Sequence, residues 1–228
     1  MCEIFVLFEG YSTQIDDVTM DANCSCTLIK APNKNVIVDT MTAWDKQAIV
    51  EALSKYDVRP EDINYVVCSH SHADHIGNNN LFLEADEHIV GITVERETLF
   101  HERNIKNCKF KNIISNSDYK LCEEVKITAT PGHTADDVTV IVKGKFEGEE
   151  VTVAITGDLF EKEEDLDDPS IWINLGTPDL KEVQALSRSK IANLADIIIP
   201  GHGPAFKVTE EIRKKLAQQL EQIKSKEL

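Results

Sequence analysis

Four apolar runs of this chain each end in a residue able to bind a metal ion. They are Tyr65-Val-Val-Cys-Ser-His70, Ile127-Thr-Ala-Thr-Pro-Gly-His133, Val153-Ala-Ile-Thr-Gly-Asp158 and Ile197-Ile-Ile-Pro-Gly-His202. Short apolar runs rich in β-branched residues and closed by turn residues read as buried strands. Side chains at the ends of strands along one sheet edge converge in space, so distant parts of a sequence can build one site there. Of the seven histidines, five (His70, His72, His75, His133 and His202) fall at or beside these strand ends, and a glycine precedes His133, Asp158 and His202. A chain patterned this way is constrained to a layered α/β arrangement with a polar centre at one edge.

The remaining periodicities fill in that arrangement. Strand patterns run over Ile4–Phe8, Cys24–Lys30, Val36–Asp39, Ile63–Cys68, His88–Thr93, Val125–Thr130, Val138–Val142, Val151–Thr156 and Asp196–Pro200. Helical periodicity covers Ala43–Lys55, His75–Leu83, Leu180–Leu194 and Thr209–Ile223, the last with Thr209 as N-cap and Glu210 and Glu211 in its first turn. Strand pairs followed by helices in both halves predict two sheets stacked face to face with helices outside. At 228 residues the length suits one domain, 1–228. The acidic segment 161–168, ending at Pro169, is the one long loop-like piece, expected to be functional or mobile.

The densest motif is His70-Ser-His72-Ala-Asp74-His75. His70 and His72 are two apart, so an extended turn can point both rings one way, while Asp74 and His75 can serve a second ion. Imidazoles with few carboxylates and no thiolate favour zinc over magnesium or calcium. A polar loop capping the next helix is the plain alternative for the hexapeptide, but it does not account for His133, Asp158 and His202.

His-x-His-x-Asp-His, Gly-His133, Gly-Asp158 and Gly-His202 are similar to signature motifs of the metallo-β-lactamase fold superfamily, and Val38-Asp39-Thr40 resembles its first motif. Thr40-Met41 departs from the more usual Thr-Gly of that turn. The resemblance implies a four-layer αββα sandwich. It also implies that His70, His72 and His133 hold one ion, that Asp74, His75 and His202 hold a second, and that Asp158 bridges the two. Asp39 would stand behind the ligand loop as a support. Two zinc ions are the expected cofactor, with Fe2+ or Mn2+ as alternatives. Two such cations sharing a water lower its pKa from about 15.7 to near 7, so a metal-bridging hydroxide is the expected nucleophile, with Asp74 orienting it as well as ligating. Two zinc ions, two ligand carboxylates and one hydroxide leave a formal charge of roughly +1, an anion trap.

Within the superfamily, segments 69–78, 129–133, 157–161 and 200–204, together with the acidic loop followed by Trp172, resemble a branch regarded as endoribonucleases that act on histone pre-mRNA 3′ ends. Only 44 positions separate Asp158 from His202, leaving no room for an inserted nuclease cap domain. Two alternatives share the motifs. A glyoxalase II-like thioester or small-ester hydrolase normally adds a helical domain after the last ligand, and 26 residues follow His202 here. A mononuclear iron persulfide dioxygenase would carry one ion. A non-catalytic binding module is disfavoured, since a decayed site normally loses a ligand.

The net charge of −16 bears on partners. Proteins that hold nucleic acid by neutralising phosphates show a basic stripe, and here the basic residues are dispersed. An anionic substrate is expected, single-stranded RNA under the resemblance, with the metals supplying the attraction and Trp172 either stacking a base or anchoring the acidic loop to the core. A homodimer is compatible with the sequence; a membrane partner is not, because no long apolar run exists. The six cysteines show no disulfide spacing, and Cys24-x-Cys26 reads as packing. With no basic, apolar leader the expectation is a cytoplasmic protein, also nuclear if RNA is the substrate. Trp44 is expected to pack at a helix start, His88 and His101 to be ordinary polar residues, and Cys68 to be a small core residue facing away from the site.

Overall fold

The computed structural model describes residues 1–96, 99–101 and 118–225. Cys108 and the side chain of His101 lie outside the described residues. The N-terminal half supplies β1 (Cys2–Phe8), the hairpin β2 (Tyr11–Gln14) and β3 (Met20–Asn23), β4 (Cys26–Ala31) and β5 (Lys34–Val38), then helix α1 (Lys46–Ser54). It continues with β6 (Tyr65–Cys68), one-turn α2 (Ala73–Ile76), β7 (Glu87–Val90), β8 (Thr93–Arg96) and β9 (Leu99–His101). The C-terminal half supplies β10 (Tyr119–Lys120), β11 (Val125–Ala129), β12 (Val138–Phe146), β13 (Glu149–Gly157), α3 (Ser170–Leu175), α4 (Lys181–Ala192), β14 (Ile197–Pro200), β15 (Phe206–Lys207) and α5 (Glu210–Ser225).

The strands run in the order β15-β14-β13-β12-β1-β4-β5-β6-β7-β8-β9, with β10 and β11 on a branch from β12. Strand β12 joins the halves. Its first residues, Val138 to Val142, pair with β11, whereas Gly144 to Phe146 pair in parallel with Cys2 to Ile4 of β1. Side chains then alternate between two apolar layers, as the period of two in a strand requires. Val36, Val38 and Val67 face a central layer shared with Val153, Ile155, Ile197 and Ile199 of the other half. Ile37, Val66 and Cys68 face a second layer with Ile49 and Leu53 of α1, and Ala154 and Ile198 face a third with Ile191 of α4 and Leu216 of α5. Three apolar layers separate four layers of backbone, helix, sheet, sheet, helix. Each buried aliphatic side chain contributes about 1.5–3 kcal/mol, and both faces of each sheet are covered, which is why these strands read as unbroken apolar runs.

Helix spacing follows the same logic. In α5 the buried residues are Leu216, Gln219, Leu220 and Ile223, one face of a 3.6-residue period. The backbone N–H of Ile212 donates to Thr209 Oγ1 at 3.2 Å, the cap expected there. The helix expected over His75–Leu83 is shorter, ending after Ile76 and resuming as a 3-10 turn over Asn79–Leu81. Gly77 keeps helical backbone and the chain leaves it at Asn78; a Cβ on Gly77 would lie 2.4 Å from Ala43 N, so no side chain fits at that position. The acidic segment is not an open loop. It forms a 3-10 turn over Glu163–Leu166, with Asp165 buried against Arg188 and Leu166 O accepting from Gln219 Nε2 at 2.8 Å. Among the described residues, no helix is long and apolar enough to cross a membrane.

Candidate metal centre

The loop after β6 and the loops after β11, β13 and β14 bring His70, His72, Asp74, His75, His133, Asp158 and His202 to one edge of the sandwich. Asp158 lies at its middle and is buried. Its Oδ2 is 3.5 Å from His70 Nε2 and 3.4 Å from His133 Nε2, while His72 Nδ1 is 3.1 Å from His133 Nε2. Its Oδ1 is 3.2 Å from His75 Nε2, and His202 Nε2 sits 3.3 Å from Oδ1 and 3.4 Å from Oδ2. Asp74 Oδ2 completes that side, 3.7 Å from the Nε2 atoms of both His75 and His202. Ligands about 2.1 Å from a tetrahedral ion lie roughly 3.4 Å from one another, so both groups have the spacing of donors around an ion.

The backbone makes this possible at two glycines. Gly157 has φ +50°, a conformation that side chains rarely adopt, and a Cβ there would meet Ser69 Oγ at 2.2 Å. A Cβ on Gly201 would lie 2.0 Å from Asp158 Oδ1. Behind the ligands, the outer nitrogens of His70, His75 and His202 have partners, Ser69 Oγ lying 3.0 Å from His70 Nδ1. His202 Nδ1 faces the carbonyls of Asn23 at 3.1 Å and Tyr11 at 3.2 Å; carbonyls only accept, so Nδ1 carries the proton and Nε2 is left for the centre. Asp39 does for His75 what the sequence suggests, with Oδ2 at 3.1 Å from Nδ1, and its Oδ1 accepts from Ser69 N at 2.7 Å. Asp39 and Met41 both adopt left-handed backbone, with φ of 57° and 56°. The Thr40-Met41 turn therefore keeps a geometry suited to glycine, with a buried methionine in it.

Whether the residues fit a metal can be judged from the polar atoms left over. His70 Nε2, His75 Nε2, His133 Nδ1, Asp158 Oδ1 and Glu161 Oε1 are buried without a hydrogen-bond partner. Buried polar atoms are ordinarily satisfied, at a cost of about 1–3 kcal/mol each when they are not. Three of the five point into the centre, where an ion would satisfy them. The electrostatics ask for the same thing. Burial raises the Asp158 carboxyl, but the surrounding rings of His75, His202 and His70 outweigh it and hold the group well below its ordinary value. Burial lowers His202, yet Asp158 lifts it to about 9, and His75 is lifted in the same way by Asp158 and Asp39. Burial holds His70 well below its ordinary value. An anionic carboxylate ringed by imidazoles calls for positive charge at the centre, as protons or as a cation.

The cavity over this centre has a volume of about 550 Å³ and is walled by Met20, Ala22, Ala43, Trp44 and Leu175, with no lysine or arginine among its described lining residues. Here one open reading narrows and one expectation changes. Trp172, open between stacking a base and anchoring the acidic loop, is 0% exposed and absent from the cavity lining, with the guanidinium carbon of Arg188 5.0 Å from its ring and Arg188 in turn paired with Asp165 of the acidic segment. Trp44, expected to pack at a helix start, is 90% exposed in the turn before α1 and lies on the cavity rim. Glu161 was not singled out by sequence. It is 1% exposed, with Oε1 3.4 Å from His133 Nδ1 and Oε2 4.0 Å from His202 Nε2. The available signal was an acidic residue three places after Asp158, where the chain turns back toward His202: His202 N donates to Glu161 O at 2.7 Å. Cys24, Cys26 and Cys68 are buried free thiols in the layer beneath α1, as packing residues are.

The sequence profile described as the metallo-beta-lactamase superfamily matches residues 20–202. Metallo-beta-lactamase domain-containing protein 1 of Xenopus laevis is 37% identical over 218 residues, which cover 95% of this chain and 85% of that protein. The mouse protein of the same name is 35% identical, over 85% of this chain and 69% of its own. An N-acyl homoserine lactonase of a Bacillus species is 30% identical over 56% of this chain and 52% of its own. Among solved structures, a putative metallo-beta-lactamase of Thermotoga maritima superposes with a TM-score of 0.63 over 90% of this chain and 99% of its own, at 20% identity. The profile, the relatives, the four-layer fold and the His/Asp centre agree, and this chain belongs to the metallo-beta-lactamase superfamily, whose members include metal-dependent hydrolases.

Proposed function

We propose that this protein is a dinuclear zinc hydrolase. The observation that carries the reading is the division of labour at Asp158: Oδ2 faces His70 and His133, and Oδ1 faces His75. His70, His72 and His133 would hold one ion, Asp74, His75 and His202 the other, and Asp158 would bridge them. Two zinc ions so held would supply hydroxide at neutral pH and would stabilise charge developing on the substrate's oxygens. The protein's own part is to fix the ligands through Asp39, Ser69 and the carbonyls of Tyr11 and Asn23, and to place Asp74, the most accessible carboxylate of the centre, where it can orient the nucleophile as well as ligate.

For the substrate, the sequence resemblance favours a phosphodiester of single-stranded RNA, that of histone pre-mRNA 3′ ends. The exposed Trp44 on the rim supports it, because aromatic rings stack on bases at about 1–3 kcal/mol per base. A small ester or thioester is the second reading. It is favoured by the apolar cavity wall, which has no lysine or arginine among its described residues, and by the similarity to a lactonase. Assaying the zinc-loaded protein in parallel on single-stranded RNA, a glutathione thioester, an acyl lactone and a persulfide separates them. Cleavage of RNA alone supports the first reading. Turnover of the thioester or lactone alone replaces it with the second, and oxygen uptake with the persulfide contradicts both.

A further inference from the structure

Glu161 is the one buried carboxylate of the centre that no ligand motif accounts for. It follows Asp158 through a tight turn, in which Phe160 N donates to Gly157 O and Gly201 N donates to Phe160 O, so its place is set by the same backbone that sets Asp158 and His202. Its Oε1 has no hydrogen-bond partner although it lies 3.4 Å from His133 Nδ1, itself unpartnered. Each is what the other lacks. A carboxylate accepts only, so with Glu161 ionised His133 must carry its proton on Nδ1, and Nε2 is then the free lone pair that faces Asp158 and His72. The same arrangement recurs three times around the centre: His75 is backed by Asp39, His202 by two carbonyls, and His70 by Ser69 Oγ at 3.0 Å. Without Glu161, His133 alone would lack a backing group among the buried ligands.

We infer that Glu161 is a positioning residue: it fixes the tautomer and ring orientation of His133. This rests on the dinuclear reading above.

The experiment compares wild type, E161A and E161Q for zinc content, for zinc affinity by chelator competition, and for the visible absorption of the cobalt-substituted protein. The wild-type metal count tests the dinuclear reading by itself. Loss of a backing group typically costs 10–100-fold in metal affinity, and E161A should show a loss of that size for one ion with an altered cobalt spectrum. E161Q keeps an acceptor oxygen for His133 Nδ1–H and should recover most of the affinity and the spectrum. Should E161A not fold, E161Q still decides: an affinity reduced by 100-fold or more would show that Gln cannot back His133 and would overturn the account. Folded E161A with both affinities and the cobalt spectrum unchanged overturns it outright, whatever the wild-type metal count.

Discussion

Asp39 and His75 meet at 3.1 Å, Oδ2 to Nδ1, in a pocket that excludes water from both. The pair joins the residue after β5 to the one-turn helix α2, and Asp39 takes its place there with left-handed backbone. Asn tolerates that backbone, whereas most residues do not. Asp39→Asn should therefore fold normally and lose about 10–100-fold in affinity for the ion held by His75. Metal titration beside a thermal melt checks this; an unchanged affinity would show that Asp39 serves the turn alone.

The bridging role assigned to Asp158 separates it from His202. Asp158→Ala should weaken both ions, while His202→Ala should empty mainly the position shared with Asp74 and His75. Metal content after dialysis against zinc of fixed concentration reads the difference. Equal loss in the two variants would contradict the assignment. Both variants should also melt lower when zinc is present, because ions that bind only the folded state stabilise it.

Much of this centre was legible in the sequence, and the part that was not has a physical reason. The ligands stand at strand ends, and a strand end followed by a turn is a local feature that apolar runs and glycines mark directly. The layers follow from alternation, which is equally local. The two tryptophans were another matter. Trp172 follows an acidic segment and Trp44 precedes a helix, and neither neighbourhood reveals which side chain meets the core. That is decided by Arg188 of α4, which reaches Trp172, Phe160 and Asp165 from a distant stretch of chain. Glu161 escaped for the same reason: its meaning comes from His133 and His202, brought to it by the fold.

The Arg188–Asp165 pair is completely buried, with Nη1 2.9 Å from Oδ2, and Arg188 Nη1 also donates to Leu159 O at 2.8 Å. Removing one partner leaves a buried charge, which costs about 3–5 kcal/mol. Arg188→Met should lose that much in urea unfolding, and Arg188→Met combined with Asp165→Leu should recover a large part of it. A loss below about 1 kcal/mol for the single variant, the range of an exposed pair, would show that the charges are solvated.

Trp44 offers the opposite contrast. Its ring is almost wholly in solvent, so Trp44→Ala should change stability by no more than about 0.5 kcal/mol, while weakening substrate binding by about 1–3 kcal/mol if a base stacks on it. Under the RNA reading few phosphates are neutralised, and the log–log dependence of affinity on salt should have a slope of only about −1 to −2, at ~0.7 per phosphate. Binding by wild type and Trp44→Ala, with zinc and after chelation, across a salt series checks both. Tight, steeply salt-dependent binding by metal-free protein would point to a basic channel elsewhere.

The most direct test of the whole account is the metal content of the purified protein by mass spectrometry, with activity followed during chelation and zinc restoration. The account predicts close to two first-row ions per chain, mainly zinc, with activity lost on chelation and regained with zinc. A stoichiometry near one iron per chain with uptake of oxygen, or full activity without metal, would contradict it.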